Sequence, residues 1–322
     1  MKPLVSTIIP AYNAAPYISE TLDSALSQTW QNIEIIVVDD GSKDDTLAIA
    51  KKYESKKVKV INQQNKGASA ARNRALKEAQ GDFIQYLDAD DLLASDKIER
   101  QLKLLDFNPL SNYSVSGEWA RFYQKPYEAV FTPQSLWSDM SPITWLVTAW
   151  EKNLMMHPGA WLVSRNITES AGIWNEKISL NDDGEYFCRI ILASKEVKFC
   201  AGAKSYYRSG ISGSLSGSKS RQALESVYLS VDLCTNNLLA VEDSERTRLA
   251  CANFFQRFIY ELYPEAYDLI KKSEEKIKQF GGSNIKPLGS PRFEFLSYFL
   301  GWKCAKRIQT WTYEFKDNSF FG

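Results

Sequence analysis

The feature that most constrains the fold is an alternation of short apolar runs with helical stripes over the first hundred residues. Val5 to Ile9, Ile33 to Val38, Val58 to Ile61 and Phe83 to Leu87 are β-branched or apolar runs of strand length. Between them, Ile18, Leu22, Ala25 and Leu26 recur at helical spacing, and Ala71, Ala75 and Ala79 make a second narrow stripe. Ser42 followed by Asp45 reads as a capping box opening a helix through Leu47 and Ala50. This order predicts an α/β fold of Rossmann type, a mostly parallel sheet with helices on both faces.

Two of the predicted strands end abruptly in acids, and in open α/β sheets ligands lie beyond the carboxyl ends of the strands. Phe83 to Leu87 runs into Asp88-Ala89-Asp90-Asp91. Carboxylates so close repel one another and are costly to desolvate without a cation, and oxygen ligands suit Mg²⁺ or Mn²⁺ bridging to phosphates. A helix cap alone needs fewer acids than this. Val37-Val38 runs likewise into Asp39-Asp40-Gly41-Ser42, either a plain turn and cap or a site that accepts hydrogen bonds from a base or ribose. In Lys66 to Asn73, Gly67 permits a tight turn before a helix of small residues. That helix start is a natural anion site, and Arg72 stands within reach of it. The chain has no G-x-G-x-x-G after the first strand and no P-loop motif, which disfavours dinucleotide and P-loop binding.

After about residue 105 the alternation is lost, and residues 106–180 hold six of the nine tryptophans, at 119, 137, 145, 150, 161 and 174. They form either a second core or a wall for a ligand with apolar faces. Residues 209–220 are rich in Ser and Gly, as a plain flexible loop or as a flap over substrate. From 221 the pattern turns helical, with Leu224, Val227, Tyr228 and Val231 on one face. The expected organisation is a catalytic domain over 1–220, divided at 105, and a helical region over 221–322.

Lys+Arg and Asp+Glu balance at 39 each, so bulk charge gives no reason to expect nucleic acid as a partner. The five cysteines (188, 200, 234, 251 and 304) show no C-x-x-C spacing, and reduced, mostly buried thiols are expected. His157 is the only histidine, which excludes metal sites built from two or three of them. Its place before Pro158-Gly159 fits a structural role or a place in an acceptor site. The N-terminus lacks a signal-peptide pattern and no run approaches the length of a membrane span, so the expectation is a cytoplasmic protein, at most peripheral on the membrane. Peripheral contact would come from 290–311, where Arg292, Lys303, Lys306 and Arg307 outnumber Glu294 and where Phe295, Phe299 and Trp302 share a helical face. A helix docked on its own domain is the alternative.

Taken together, Ser6-Thr7-Ile8-Ile9-Pro10-Ala11-Tyr12-Asn13, Val37 to Ser42, Gly67 to Asn73 and Leu87 to Asp91 resemble, in order and spacing, the family 2 glycosyltransferases. The resemblance is specific over 4–105, looser to about 210 and negligible beyond. It implies a GT-A fold, a nucleoside-diphosphate-sugar donor of the UDP class, and inverting transfer to a carbohydrate or glycolipid acceptor in polysaccharide or glycoconjugate synthesis. On this sequence it implies that Pro10, Tyr12 and Asp40 line the nucleoside pocket with Asp39 in support. Arg72 would lie near the nucleotide, and Asp88 with Asp90 would handle ribose and a divalent cation, Mn²⁺ or Mg²⁺. The base falls on Leu180-Asn181-Asp182-Asp183-Gly184-Glu185, with Asp183 preferred and Asp182 or Glu185 as alternatives. One departure stands out. Many members carry a histidine after a Tyr-Arg like Tyr207-Arg208, and Ser209 to Ser214 has none. The rival readings are a nucleotidyltransferase, which usually shows a glycine-rich basic loop where Pro10 to Asn13 stands, and a carbohydrate-binding homologue without catalysis. Retention of both acidic clusters argues against the latter.

Overall fold

The computed structural model describes residues 2–211, 220–287 and 289–309. The first half alternates as the sequence predicts: β1 (Val5–Ala11), α1 (Ile18–Leu26), β2 (Ile33–Asp39), α2 (Thr46–Lys51), β3 (Val58–Asn62), α3 (Ala68–Glu78) and β4 (Phe83–Tyr86). There follow β5 (Leu92–Leu93), α4 (Lys97–Leu104), β6 (Tyr113–Phe122), α5 (Pro142–Lys152), β7 (Val163–Ser164), α6 (Arg165–Ala171), α7 (Asp182–Ala193) and β8 (Glu196–Arg208). The main sheet has the order β3-β2-β1-β4-β7, parallel except for β7. The chain runs outward from β1 to β3, then crosses back to β4 on the other side of β1. This creates the switch point at which α/β sheets open a crevice. A smaller sheet, β5-β8-β6, stands beside it.

The loops after β1 and β2 are laced together at the sheet's carboxyl edge. Ser42 Oγ accepts from the Asn13 N–H (3.0 Å), Asn13 Oδ1 accepts from the Lys43 N–H (2.8 Å), and Thr46 Oγ1 accepts from the Ala14 N–H (2.7 Å). The expected capping box is therefore absent. Ser42 spends its hydroxyl on the neighbouring loop, and α2 starts only at Thr46, whose N–H donates to Asp44 (3.0 Å).

Of the six tryptophans in 106–180, Trp145, Trp150, Trp161 and Trp174 are buried core residues. Trp161 stacks on Phe187 at 5.2 Å, and Trp174 on Tyr186 at 4.0 Å. The second-core reading holds for these four. Trp119 and Trp137 are only partly buried. Cys188, Cys200, Cys234 and Cys251 are buried free thiols, whereas Cys304 is exposed.

The chain ends in α8 (Arg221–Val241), α9 (Glu245–Leu262), α10 (Tyr267–Gln279), α11 (Pro291–Leu300) and a further helical stretch at 302–309. Cys234, Leu238, Ala250 and Cys251 of α8 and α9 belong to the same apolar cluster as Ile8, Ile36 and Ile84 of the sheet. These helices thus share the sheet's core. Trp302 packs against Tyr260 (4.8 Å) and Tyr263 (5.2 Å), so it faces its own domain. Phe295 and Phe299 remain exposed. No helix among the described residues is long and apolar enough to cross a membrane. Residues 212–219, the greater part of the expected loop or flap, lie outside the described residues.

Candidate active site

Acids at the ends of β2 and β4 and at the start of α7 meet at the carboxyl edge of the sheet, and the beginning of α3 joins them. Asp40 organises that beginning. Its carboxylate accepts from the backbone N–H of Lys66 (2.9 Å) and Gly67 (2.7 Å) and from Gln63 Nε2 (2.8 Å). Gly67 has φ 93°, a conformation other residues rarely adopt, and open space beside its Cα; backbone conformation rather than crowding selects glycine there. Asp39 is also buried. One of its oxygens accepts from the Ser42 N–H (3.2 Å), and the other has no hydrogen-bond partner. A buried carboxylate oxygen left unpaired is costly, and it marks where a ligand's N–H or O–H can dock. Tyr12 follows β1 and is 46% exposed, beside this pair, because Ala11 and Asp39 are register partners.

Arg72, on the second turn of α3, joins two motifs. One guanidinium nitrogen donates to Asp88 (2.7 Å) and another to Asp182 (2.7 Å), which also accepts from Ser69 Oγ (3.0 Å). The guanidinium lies 4.3 Å over the Trp174 ring, and Trp174 rests in turn on Tyr186. Asn73 fixes Trp174 by accepting from its N–H (2.8 Å) and donating to its carbonyl (2.9 Å). Burial works to discharge Arg72, but Asp88 and Asp182 more than offset it and raise its pKa above the ordinary value. Sequence reasoning picked out Arg72 and the Asp182-Asp183 pair but not Ser69 or the supporting role of Trp174.

The remaining acids divide by their partners. Asp90 is pushed up to about 8 by burial and by the charges of Asp91 and Asp88. Asp91 is raised too, first by burial and then by Asp88. Its oxygens meet the Arg208 N–H (2.8 Å) and His157 Nδ1 (3.1 Å). His157 is wholly buried, also bonds Ser205 Oγ (2.8 Å), and is driven down to about 3 by burial, which disfavours its charged form. Its acceptor-site role is not supported by this burial. Arg208, missed as a site residue, donates to the Asp90 carbonyl (2.9 Å) and to Glu20 (2.5 Å). Glu185 is buried in an ion pair with Arg189 (2.7 Å) and has no carboxylate to spare for proton transfer. Asp183 is half-buried, accepts from the Gly184 N–H (2.9 Å), and is raised to about 6 by burial and Asp182, against the pull of Arg72.

Beyond Tyr207, a cavity of about 510 Å³ opens along β6, lined by Trp119, Arg121, Tyr123, Glu128 and Gln134 among others. Strand alternation buries Ala120 and Phe122 and turns Trp119 and Arg121 outward. The Arg121 guanidinium lies 5.0 Å over Tyr207, whose hydroxyl is raised by burial and by Asp91 and Asp88.

No group of three His, Cys, Asp or Glu side chains among the described residues converges as a metal cage. Five carboxyl groups, those of Asp88, Asp90, Asp91, Asp182 and Asp183, nevertheless crowd together where Arg72 is the cation that bridges them, and the raised affinities of Asp90 and Asp91 for a proton reflect that crowding. A diphosphate would meet net negative charge here. A divalent cation on Asp90 and Asp88 would relieve it, with the rest of its shell drawn from phosphate oxygens and water, and the donor set fits Mg²⁺ or Mn²⁺.

Removing the bridge should expose its importance. Arg72→Ala leaves two largely buried carboxylates unpaired and is expected to cost about 3 kcal/mol or more at pH 7. The loss should shrink in an Asp88→Asn, Asp182→Asn background, where no carboxylate is left without its cation. Urea unfolding of the four proteins measures it, and an equal loss in both backgrounds would show that charge pairing is not the cause.

A model described as "Glycosyl transferase family 2" matches residues 6–171, just over half of the chain. Among curated relatives, the UDP-Glc:alpha-D-GlcNAc-diphosphoundecaprenol beta-1,3-glucosyltransferase WfaP of Escherichia coli is 45% identical over 121 residues, which are 36% of this chain and 48% of that protein. The putative teichuronic acid biosynthesis glycosyltransferase TuaG of Bacillus subtilis (strain 168) is 45% identical over 107 residues, 32% of this chain and 42% of that one. The match spans less than half the length of these relatives and of the uncharacterized glycosyltransferases of Haemophilus influenzae and Rickettsia typhi. Among solved structures, S. aureus TarS 1-349 in complex with UDP-GlcNAc superposes with a TM-score of 0.69 at 21% identity, covering 87% of this chain and 80% of that one. That likeness shows the GT-A fold. The chain belongs to glycosyl transferase family 2.

Proposed function

We propose that this protein moves a sugar from a UDP-sugar to an acceptor hydroxyl by a single inverting displacement, with Asp183 as the base. The observation that carries the reading is the Arg72 bridge. It brings the strand-end acids of the donor side and the first turn of α7 into one site. The UDP and UDP-GlcNAc complexes of TarS and the UDP-Glc donor in the name of WfaP support the donor class. The diphosphoundecaprenol in that name and the teichuronic acid pathway of TuaG support a glycolipid or polysaccharide acceptor.

The nucleoside docks against Asp39, whose unpaired oxygen accepts from it, with Pro10 and the exposed Tyr12 ring alongside. Asp40 serves by shaping the 63–67 loop. Arg72 acts chiefly through the carboxylates it holds in place. Asp90 and Asp88 would hold a divalent cation, which would supply the positive charge that the departing diphosphate needs. The acceptor lies in the cavity lined by Trp119, Arg121 and Tyr123, next to Tyr207, where a sugar ring finds aromatic surface. Its hydroxyl oxygen bonds to the anomeric carbon as the bond to the diphosphate breaks, and its proton passes to Asp183. We assign the site to residues 1–220, with the donor on 1–105 and the acceptor on 106–220, and 221–322 to a C-terminal region whose described part is helical.

The test is UDP release from a panel of UDP-sugars with Mn²⁺. Asp183→Asn should lower turnover about 10²–10⁴-fold and leave UDP affinity intact. The wild-type rate should rise with pH through about 6, because Asp183 must be ionised to take a proton. Excess EDTA should stop the reaction and Mn²⁺ or Mg²⁺ restore it. Full turnover by the variant would remove Asp183 from the role, and full turnover in EDTA would remove the cation.

Phe295, Tyr298, Phe299 and Leu300 of α11 are all exposed, beside the basic residues Arg292, Lys303 and Lys306. This supports weak contact with an anionic membrane surface, where a glycolipid acceptor would reside. Phe295→Ser with Phe299→Ser should abolish flotation with phosphatidylglycerol vesicles. Undiminished flotation would exclude α11 as the contact.

A further inference from the structure

The first turn of α7 lacks the cap that its sequence could supply. Helix starts usually satisfy their free N–H groups with an Asp, Asn or Ser side chain at the preceding position. Here Asn181 holds that position in the left-handed conformation (φ 61°), and its side chain makes no capping bond. It turns away to α8 instead, where Asn181 Nδ2 donates to Ser230 Oγ (2.8 Å), and the same hydroxyl donates back to the Asn181 carbonyl (2.9 Å). One turn earlier on α8, Ser226 Oγ accepts from the N–H of Ser179 (2.8 Å) and Leu180 (2.9 Å) and donates to the Leu180 carbonyl (3.0 Å). One turn later, Cys234 Sγ reaches the Gly184 carbonyl (3.6 Å). Positions 226, 230 and 234 lie four apart, on one face of the helix, and all three are buried. Gly184 completes the fit, because a Cβ there would fall 2.4 Å from Asn181 Oδ1.

A serine hydroxyl has one proton and two lone pairs. Ser226 uses all three, and Ser230 uses its proton and one lone pair, on the backbone and side chain of the three residues before Asp182. Little else on that loop is available for the task. Asp182 is committed to Arg72 and Ser69 and also accepts from the Asp183 N–H (3.0 Å), while the Asp183 carboxylate itself accepts only the adjacent Gly184 N–H. The backbone that leads into Asp183 is therefore held from α8 as well as by Asp182, and α8 lies outside the span that matches the family model.

We propose that Ser226 and Ser230 are positioning residues for the reaction, a clamp through which the C-terminal helical region aims Asp183 at the acceptor hydroxyl. This rests on Asp183 being the base. A base displaced by a fraction of an ångström from its proton loses rate without loss of substrate binding, so the clamp should show in turnover and not in donor affinity.

The experiment is a double-mutant cycle in the full chain, with the UDP-sugar that supports the fastest UDP release. Ser230→Ala should lower kcat about tenfold or more and leave UDP affinity by calorimetry with Mn²⁺ unchanged. In the Asp183→Asn background the same change should have no further effect, because the group being aimed is already gone. An unchanged kcat, or an equal loss in both backgrounds, would overturn the clamp. Ser226→Ala, read in the same cycle, decides the matter if Ser230→Ala does not fold. Full turnover in Asp183→Asn alone would instead bring down the base assignment, and the clamp with it, and is told apart by that single variant.

Discussion

A guanidinium buried between two carboxylates and an aromatic ring is the interaction on which this site depends. Taking Arg72 out of water is expensive, and the cost is offset only because Asp88 and Asp182 each meet it at 2.7 Å while Trp174 covers one face of its plane. Lysine would do this less well, since its compact charge lacks the planar fork that meets two carboxylates while one face lies flat on a ring. The bridge has a topological result. Asp88 ends the fourth strand of the sheet and Asp182 opens a helix nearly a hundred residues later, so one side chain fixes the donor half of the chain against the half that bears Asp183.

Around that bridge, the carboxylates differ in what they have left to offer. Asp40 is saturated by backbone donors, Asp91 by Arg208 and His157, and Glu185 by Arg189. Asp39 keeps a bare oxygen, while Asp90 and Asp183 keep raised affinities for a proton because burial and like charge disfavour ionisation. Saturated acids build the site. The unsaturated ones are where the proposed chemistry falls: a nucleoside at Asp39, a cation at Asp90 and a transferable proton at Asp183.

The parallel sheet and both acidic clusters were legible because each is a local pattern: apolar runs of strand length, and acids stacked at a strand end or a helix start. Arg72 was legible for its place near a glycine turn, although its partners were not. What the sequence hid lies at long range. Ser69 bonds across 113 residues and Ser226 across 46 and 47, and a serine carries no signal of its own among many others. Trp174 and Trp119 look alike in sequence, yet one is core beneath Arg72 and the other flanks a cavity. His157 before Pro-Gly was open between two readings until its burial against Asp91 decided for structure. Ser42 and Asp45 had the spacing of a cap, but the loop after β1 competed for the serine hydroxyl and won.

The most direct test of the account is a crystal of the full chain grown with UDP and Mn²⁺, with data collected at the manganese absorption edge. The account predicts an anomalous peak in direct coordination with the Asp90 carboxylate, the uridine against Asp39, and the diphosphate on the side of the site that faces Asp183. A manganese peak away from Asp90, or UDP bound with its diphosphate remote from the Arg72 bridge, would contradict it.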